Sequence, residues 1–209
     1  MSDVTRALEQ IAEIHGQLAK GEVYRGWRSV TAAASGVIGI GAAWYQATWP
    51  TPIEPVAFAA FWLAIGVAAI AAGCSEIVVH YGWRATATER RRTRQVFGQF
   101  LPALVAGAVL TLAVVRVNPA LVPLLPGIWA LFFGVGIFSA RPYLPRSSGF
   151  VAAFYCTAGA VLLWTCREGG ALSPWTVGGT FGAGQWLGAA VLYWNLERGG
   201  NGFTTPGKD

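Results

Sequence analysis

Six long apolar runs constrain this chain more than any other feature of its sequence. Each run holds roughly 18–24 residues, and about 20 suffice to cross the hydrocarbon core of a bilayer as an α-helix. A helix is the expected form, because within lipid every backbone polar group must find its partner inside the chain. The runs are residues 30–49, 56–79, 97–115, 120–140, 149–166 and 175–195.

The charge of the chain lies mainly between these runs. Only 12% of the 209 residues are charged, against about 25% in soluble domains. The net charge of +5 therefore favours the lipid bilayer and its anionic headgroups as partners, and not nucleic acid. The short connections between runs make successive helices antiparallel. The sequence predicts an all-α polytopic membrane protein of six transmembrane helices, arranged as three hairpins.

The chain divides into three predicted regions. Residues 1–28 form a cytoplasmic amphipathic helix and a linker, because apolar residues recur there at steps of three and four. That helix can lie on the membrane surface, fold over the bundle or pair with a partner helix. Residues 29–196 form the six-helix transmembrane domain. Residues 197–209 are polar and rich in glycine, and we expect a disordered cytoplasmic tail.

The distribution of basic residues predicts the orientation. If the N-terminus is cytoplasmic, 13 of the 15 lysines and arginines lie on that side, all but Arg116 and Arg167. Cytoplasmic loops carry an excess of such residues, so both termini are predicted to be cytoplasmic. The block 88–95 contributes Arg90, Arg91, Arg92 and Arg94, and is interpreted as a basic loop at the level of the lipid headgroups. The alternative is that it docks an acidic partner.

A weak internal repeat links the three hairpins. In each odd run a glycine stands among small and apolar residues, and in each even run a tryptophan follows a small residue. The separations are 26, 22 and 27 residues. Three unrelated hairpins of similar composition are the alternative. The glycines are Gly36, Gly107 and Gly159, and the tryptophans are Trp62, Trp129 and Trp186.

The sixth run carries two further pairs of glycines spaced by four residues. These are Gly178 with Gly182, and Gly184 with Gly188. Small residues at this spacing let two membrane helices approach closely. The partner helix can belong to the same bundle, which we favour, or to a second subunit or another membrane protein.

Glu76 is the only acid inside an apolar run, and His80 follows four residues later. On a helix the two side chains point in directions about 40° apart, and Arg84 continues the same face. An ionisable group within a span is costly and therefore a candidate for proton or ligand handling. The alternative is structural, because Glu76 stands close enough to the boundary to pair with Arg84 or with another arginine.

Other polar residues of the runs are expected to hydrogen-bond between helices. They are Gln99, Thr111, Tyr155, Thr157, Gln185, Tyr193 and Asn195. Pro126 is expected to kink the fourth helix if that helix begins near Ala120. The sequence contains no recognised catalytic, phosphate-binding or metal-binding motif, so neither an enzyme nor a cofactor or metal is predicted.

Three glycine-containing hairpins behind a short cytoplasmic segment resemble the HdeD-type family of small six-span bacterial membrane proteins. The resemblance covers residues 30–195 and rests on architecture and on the small-glycine-apolar pattern. It implies a bacterial inner-membrane protein associated with acid-stress resistance, and it assigns no catalytic residue. The sequence thus favours a non-enzymatic structural, stress-response or accessory protein. The alternative function is a small transporter or channel that uses Glu76 and His80.

Overall fold

The computed structural model describes residues 29–81, 87–166 and 171–197, which form six α-helices and three shorter helical segments. A 3-10 helix (Pro119–Leu124) precedes α4, another (Arg141–Tyr143) follows it, and a π-helix (Tyr193–Glu197) extends α6. The predicted amphipathic helix and nearly all of the predicted tail lie outside the described residues. The α-helices are α1 (Ser29–Gln46), α2 (Pro55–Tyr81), α3 (Ala87–Val117), α4 (Leu125–Ala140), α5 (Ser148–Thr165) and α6 (Pro174–Leu192).

Successive helices alternate in direction between two ends of the bundle. At the near end, where α1, α3 and α5 begin, Ala32 packs with Leu192, and Val96 shares a buried cluster with Ala140 and Val151. At the far end, a second buried cluster joins the end of α1 to the starts of α2, α4 and α6. The contacts at the two ends therefore show that the described helices run alternately up and down.

The most extensive helix contact joins distant parts of the chain. The most extensive contact is between α1 and α6, followed by α4 with α5 and then α3 with α4. Helix α2 touches its sequence neighbours only sparsely. The main packing partners of α1 and α2 therefore differ from the predicted hairpins. Glycine explains the difference, because α1 and α6 both expose backbone along one face and can approach more closely than side chains would permit.

Four helical segments are long and apolar enough to cross a membrane: Pro55–Gly73, Thr93–Val117, Pro119–Tyr143 and Ser148–Thr165. The prediction of an all-helical membrane protein is thereby confirmed for the part of the chain that is described. Six spans stay a prediction, because α1 and α6 are not among these segments. Both helices are rich in glycine, which contributes little hydropathy, and α1 also ends in Trp-Tyr-Gln.

One local prediction is wrong, and the condition attached to another is not met. The basic block is not a loop, because α3 begins at Ala87 and carries Arg90 to Arg94 in its opening turns. Glutamate, arginine and glutamine have good helix propensity, so the helix extends beyond the apolar run. Pro126 does not kink a helix that starts near Ala120. The chain is a 3-10 helix to Leu124, and Pro126 then occupies the first turn of α4, where a missing N–H is tolerated.

Candidate functional site

The backbone of α2 carries two of the predicted ionisable residues on one continuous helix. Glu76 and His80 lie one turn apart near its C-terminal end, which is the near end of the bundle. The orientations of their side chains lie outside the described part of the chain, as does Arg84 altogether. The predicted grouping of these three residues therefore stays a prediction.

A cavity of about 50 Å³ lies at the near end, between α1, α4, α5 and α6. Ala32 contributes from α1 and Ile137 from α4, while α5 and α6 supply the polar groups Ser148, Tyr155 and Gln185. The remaining walls are aliphatic or aromatic. Sequence reasoning did not find this cavity, because its walls come from four segments that no local pattern connects.

Tyr155 forms the floor of the cavity and is completely buried. Its ring packs edge-on against Phe133, at 4.7 Å between centroids, and also contacts the rings of Phe154 and Phe181. Its hydroxyl donates to the backbone carbonyl of Phe181 at 3.3 Å, and Gln185 lines the same cavity. Such a ring cluster holds the phenol in one orientation.

Ser148 stands in the first turn of α5 and lines the same cavity. Only 6% of the residue is exposed, and its Oγ has no hydrogen-bond partner among the described residues. A buried hydroxyl without a partner costs about 1–3 kcal/mol. Sequence reasoning missed this residue, because a serine at the start of a helix is usually taken for a cap.

Two tryptophan hydrogen bonds connect helices toward the far end. Trp62 donates from its indole Nε1 to Oε1 of Gln46 at 2.7 Å, and Trp129 donates to Oγ1 of Thr111 at 2.8 Å. In each case the tryptophan of an even helix bonds to a polar residue of the preceding odd helix. Trp186 differs, because it lies half-exposed against Gly36 of α1.

The positions of these hydrogen bonds can be compared with the predicted internal repeat and with the predicted contacts of polar residues between helices. Gln46 lies ten residues after its repeat glycine and Thr111 only four after its own, so the acceptors are not at equivalent positions. Gln46 was missed, although a glutamine inside an apolar run signals a polar contact. Asn195, expected to bond between helices, donates instead to the carbonyl of Val191 on its own helix at 2.7 Å.

Five of the predicted packing glycines stand at close helix contacts, all within this chain. A Cβ added at Gly178 would lie 2.5 Å from the Cβ of Ala43, and one at Gly159 would lie 2.7 Å from the carbonyl oxygen of Gly127. Gly36, Gly182 and Gly184 are similarly enclosed.

The other two predicted glycines are not tight. A Cβ at Gly107 would meet its nearest neighbour at 3.8 Å and one at Gly188 at 3.9 Å, which are ordinary contacts. Gly188 faces the cavity, where space remains open. The spacing of small residues therefore predicted the face of α6 that packs closely against other helices. It did not predict that this packing becomes loose at Gly188, beside the cavity.

Basic side chains gather at the near end. Arg141 and Arg146 flank the loop between α4 and α5, and both are exposed, as are Arg91 and Arg94 at the start of α3. The guanidinium of Arg141 lies over the start of α5, with Cζ 3.3 Å from the position of a Cβ on Gly149. The side chains of Arg90 and Arg92 are not among the described ones.

No cluster of three or more histidine, cysteine or acidic residues that could hold a metal exists within the described ranges. Comparisons with protein-family models, with curated proteins and with solved structures find no match to this chain. The resemblance to the HdeD-type family therefore stays a prediction.

Proposed function

We propose that the chain crosses a bacterial inner membrane six times, with both termini in the cytoplasm. The aromatic residues of α6 support this proposal, because Trp175 near its start is half-exposed and Trp194 just past its end is largely exposed. Nineteen residues separate them, or about 28 Å at 1.5 Å per residue, close to the roughly 30 Å of a bilayer core. Trp44 is also largely exposed and lies in the last turn of α1, at the far end of the bundle. Such exposure is typical of a tryptophan at the membrane interface.

The orientation is supported by the positions of the arginines. Arg91, Arg94, Arg141 and Arg146 lie at the near end, where α1 begins and α6 ends, and Arg116 lies at the far end. An excess of positive charge marks the cytoplasmic side. The near end accordingly meets the anionic lipid headgroups of the cytoplasmic leaflet, which attract each basic side chain by about 1 kcal/mol.

Within this membrane, we propose a structural or accessory role without chemistry of its own. The hydrogen bonds of the buried polar side chains carry this proposal. Gln46, Thr111 and Tyr155 are each fully buried, and each forms a hydrogen bond with a neighbouring helix. Such bonds contribute about 0.6 kcal/mol each in membrane proteins, and their role here is to hold the bundle in one arrangement. A stress-response role accords with the family resemblance.

A second candidate function is the transfer of protons or a small solute. The continuity of α2 through Glu76 and His80 favours it, because a helical backbone presents residues four apart on one face. Both residues lie at the near end, where a proton from the cytoplasm would enter. Their spacing then matches a relay between a carboxylate and an imidazole.

One experiment separates the two functions. The full chain is reconstituted in proteoliposomes under an imposed pH gradient, and proton flux is measured for the native protein, for Glu76→Gln and for Glu54→Gln. Glu54 is a suitable control because it precedes the same helix at the far end, where it accepts the N–H of Val56 at 2.9 Å. Flux no greater than that of protein-free vesicles supports the structural role. Flux that Glu76→Gln abolishes and Glu54→Gln retains establishes proton transfer and refutes it.

A further inference from the structure

We propose that the near-end cavity binds a small uncharged molecule that carries one hydroxyl group on a short apolar body. Helices α5 and α6 supply its polar contacts, Ser148 and Gln185, and Tyr155 forms its floor, while α1 and α4 complete the walls. This is a binding site separate from the ionisable residues of α2.

The size of the cavity sets the size of the ligand. About 50 Å³ is available, whereas one water molecule needs roughly 10–15 Å³. The space therefore accommodates a chain of several heavy atoms. Ala32, Ile137 and Leu192 provide apolar walls along its length, so a row of water molecules would find few partners and an alkyl group is the better occupant.

The charge of the ligand follows from the lining. None of the described residues that line the cavity is ionisable apart from Tyr155, whose phenol is already hydrogen-bonded. An ion in such surroundings would have no counter-charge, and an isolated buried charge is strongly unfavourable. A neutral molecule is the class that these walls accept.

The hydroxyl requirement follows from Ser148. Its buried Oγ lacks a partner in the described part of the chain and can both donate and accept. Serine χ1 has three staggered positions, so the hydroxyl can turn toward a ligand. Gln185 offers a second contact, because its side-chain amide can both donate and accept and the residue lines the same cavity. An alcohol satisfies Ser148, whereas a hydrocarbon of the same length leaves it unpaired.

The location also suits an amphiphile. Ser148 begins α5 at the near end and Tyr155 lies two turns deeper, about 10 Å along the helix. In the proposed six-span arrangement, the cavity extends from the headgroup level into the apolar layer. Neutral alcohols concentrate at that depth, with the hydroxyl toward water and the chain toward lipid.

The test uses 3-azibutanol, a photoreactive four-carbon alcohol, on the full chain in nanodiscs of neutral lipid. Labelled peptides are identified by mass spectrometry, with 1-butanol and its apolar analogue 1-chlorobutane as competitors. We expect saturable labelling of the segments 148–155 and 184–192. We also expect 1-butanol to compete at a concentration several-fold lower than 1-chlorobutane. Non-saturable labelling spread over exposed helix faces would mean partition into lipid only, and would overturn the proposal.

Two variants and a control sharpen the test. Gly188→Leu fills the cavity from α6 and should reduce labelling of both segments at least fivefold. Gly179→Leu makes the same change on the same helix where a Cβ meets no atom within 4 Å, and should leave labelling unchanged. Ser148→Ala keeps the cavity and removes the hydroxyl, so the concentration of 1-butanol that halves labelling should rise about three- to tenfold.

Folding of each variant is checked by its thermal transition. If Gly188→Leu fails to fold, Ser148→Ala still decides the question. An unchanged competition by 1-butanol in Ser148→Ala would refute the assigned hydrogen bond. Equal labelling of folded Gly188→Leu and Gly179→Leu would refute the assigned cavity.

Discussion

Substituting alanine at two adjacent glycines of α6 should have opposite effects on stability. A Cβ at Gly178 would lie 2.5 Å from the Cβ of Ala43 and 2.6 Å from the carbonyl oxygen of Gly39, whereas one at Gly179 meets nothing within 4 Å. The Gly39 oxygen belongs to the backbone and the Ala43 Cβ is attached directly to it, so neither atom can rotate aside. Gly178→Ala therefore forces α1 and α6 apart, and Gly179→Ala does not.

The magnitude follows from the difference between the two variants. Both gain about 0.5–1 kcal/mol of helix stability, because alanine replaces glycine within a helix. That gain cancels, and the cost of overpacking, about 1–3 kcal/mol, remains. We expect the upper part of this range for Gly178→Ala. At roughly 2–4 °C per kcal/mol, its melting temperature should lie about 4–12 °C below that of Gly179→Ala.

The assay is thermal unfolding of purified protein in a mild detergent, followed by tryptophan fluorescence. A third variant, Ala43→Gly combined with Gly178→Ala, removes one of the two clashes and leaves the Gly39 carbonyl in place. It should recover part of the loss and not all of it. Melting temperatures of Gly178→Ala and Gly179→Ala within 1 °C of each other would refute the described contact between α1 and α6.

The tryptophan bonds and the topology yield further predictions. Trp62→Phe leaves fully buried Gln46 without its donor, so the unfolding free energy should fall by about 1–3 kcal/mol beyond the loss of ring contacts. Trp129→Phe should cost less, because its acceptor hydroxyl keeps a 2.7 Å bond to a backbone carbonyl; equal losses in denaturant titrations would contradict this ranking. In a cysteine-free background, a membrane-impermeant maleimide should label Val117→Cys in intact cells and Arg146→Cys only after lysis. Labelling of both from the same side would refute the six-span topology.

The all-helical fold could be predicted because the length of each apolar run can be counted directly in the sequence. The limits of α2 and α5 lie within a few residues of runs 56–79 and 149–166. The start of α3 could not be predicted in this way. Charged residues with high helix propensity extend a helix beyond its apolar portion, and hydropathy does not register them.

The partners of each helix were beyond local sequence patterns. The glycines of α6 indicated a close contact, but nothing in their spacing named α1 as the helix that fills it. The cavity was even harder to predict from the sequence, because Ser148, Tyr155 and Gln185 belong to two helices and meet only after folding. Polar residues at such points resemble ordinary caps or tolerated substitutions until their surroundings are known.

The contact between α1 and α6 has a consequence for how the protein is made. Helix α1 ends at Gln46 and α6 begins at Pro174, which is 128 positions later in the chain. At about 5–20 residues per second, the ribosome takes roughly 6–26 seconds to deliver the helix that covers the glycine face of α1. During that interval α1 has α2 as a neighbour, through the Trp62–Gln46 hydrogen bond, but lacks its most extensive partner. The glycine face of α1 is therefore covered only after α6 has been synthesised.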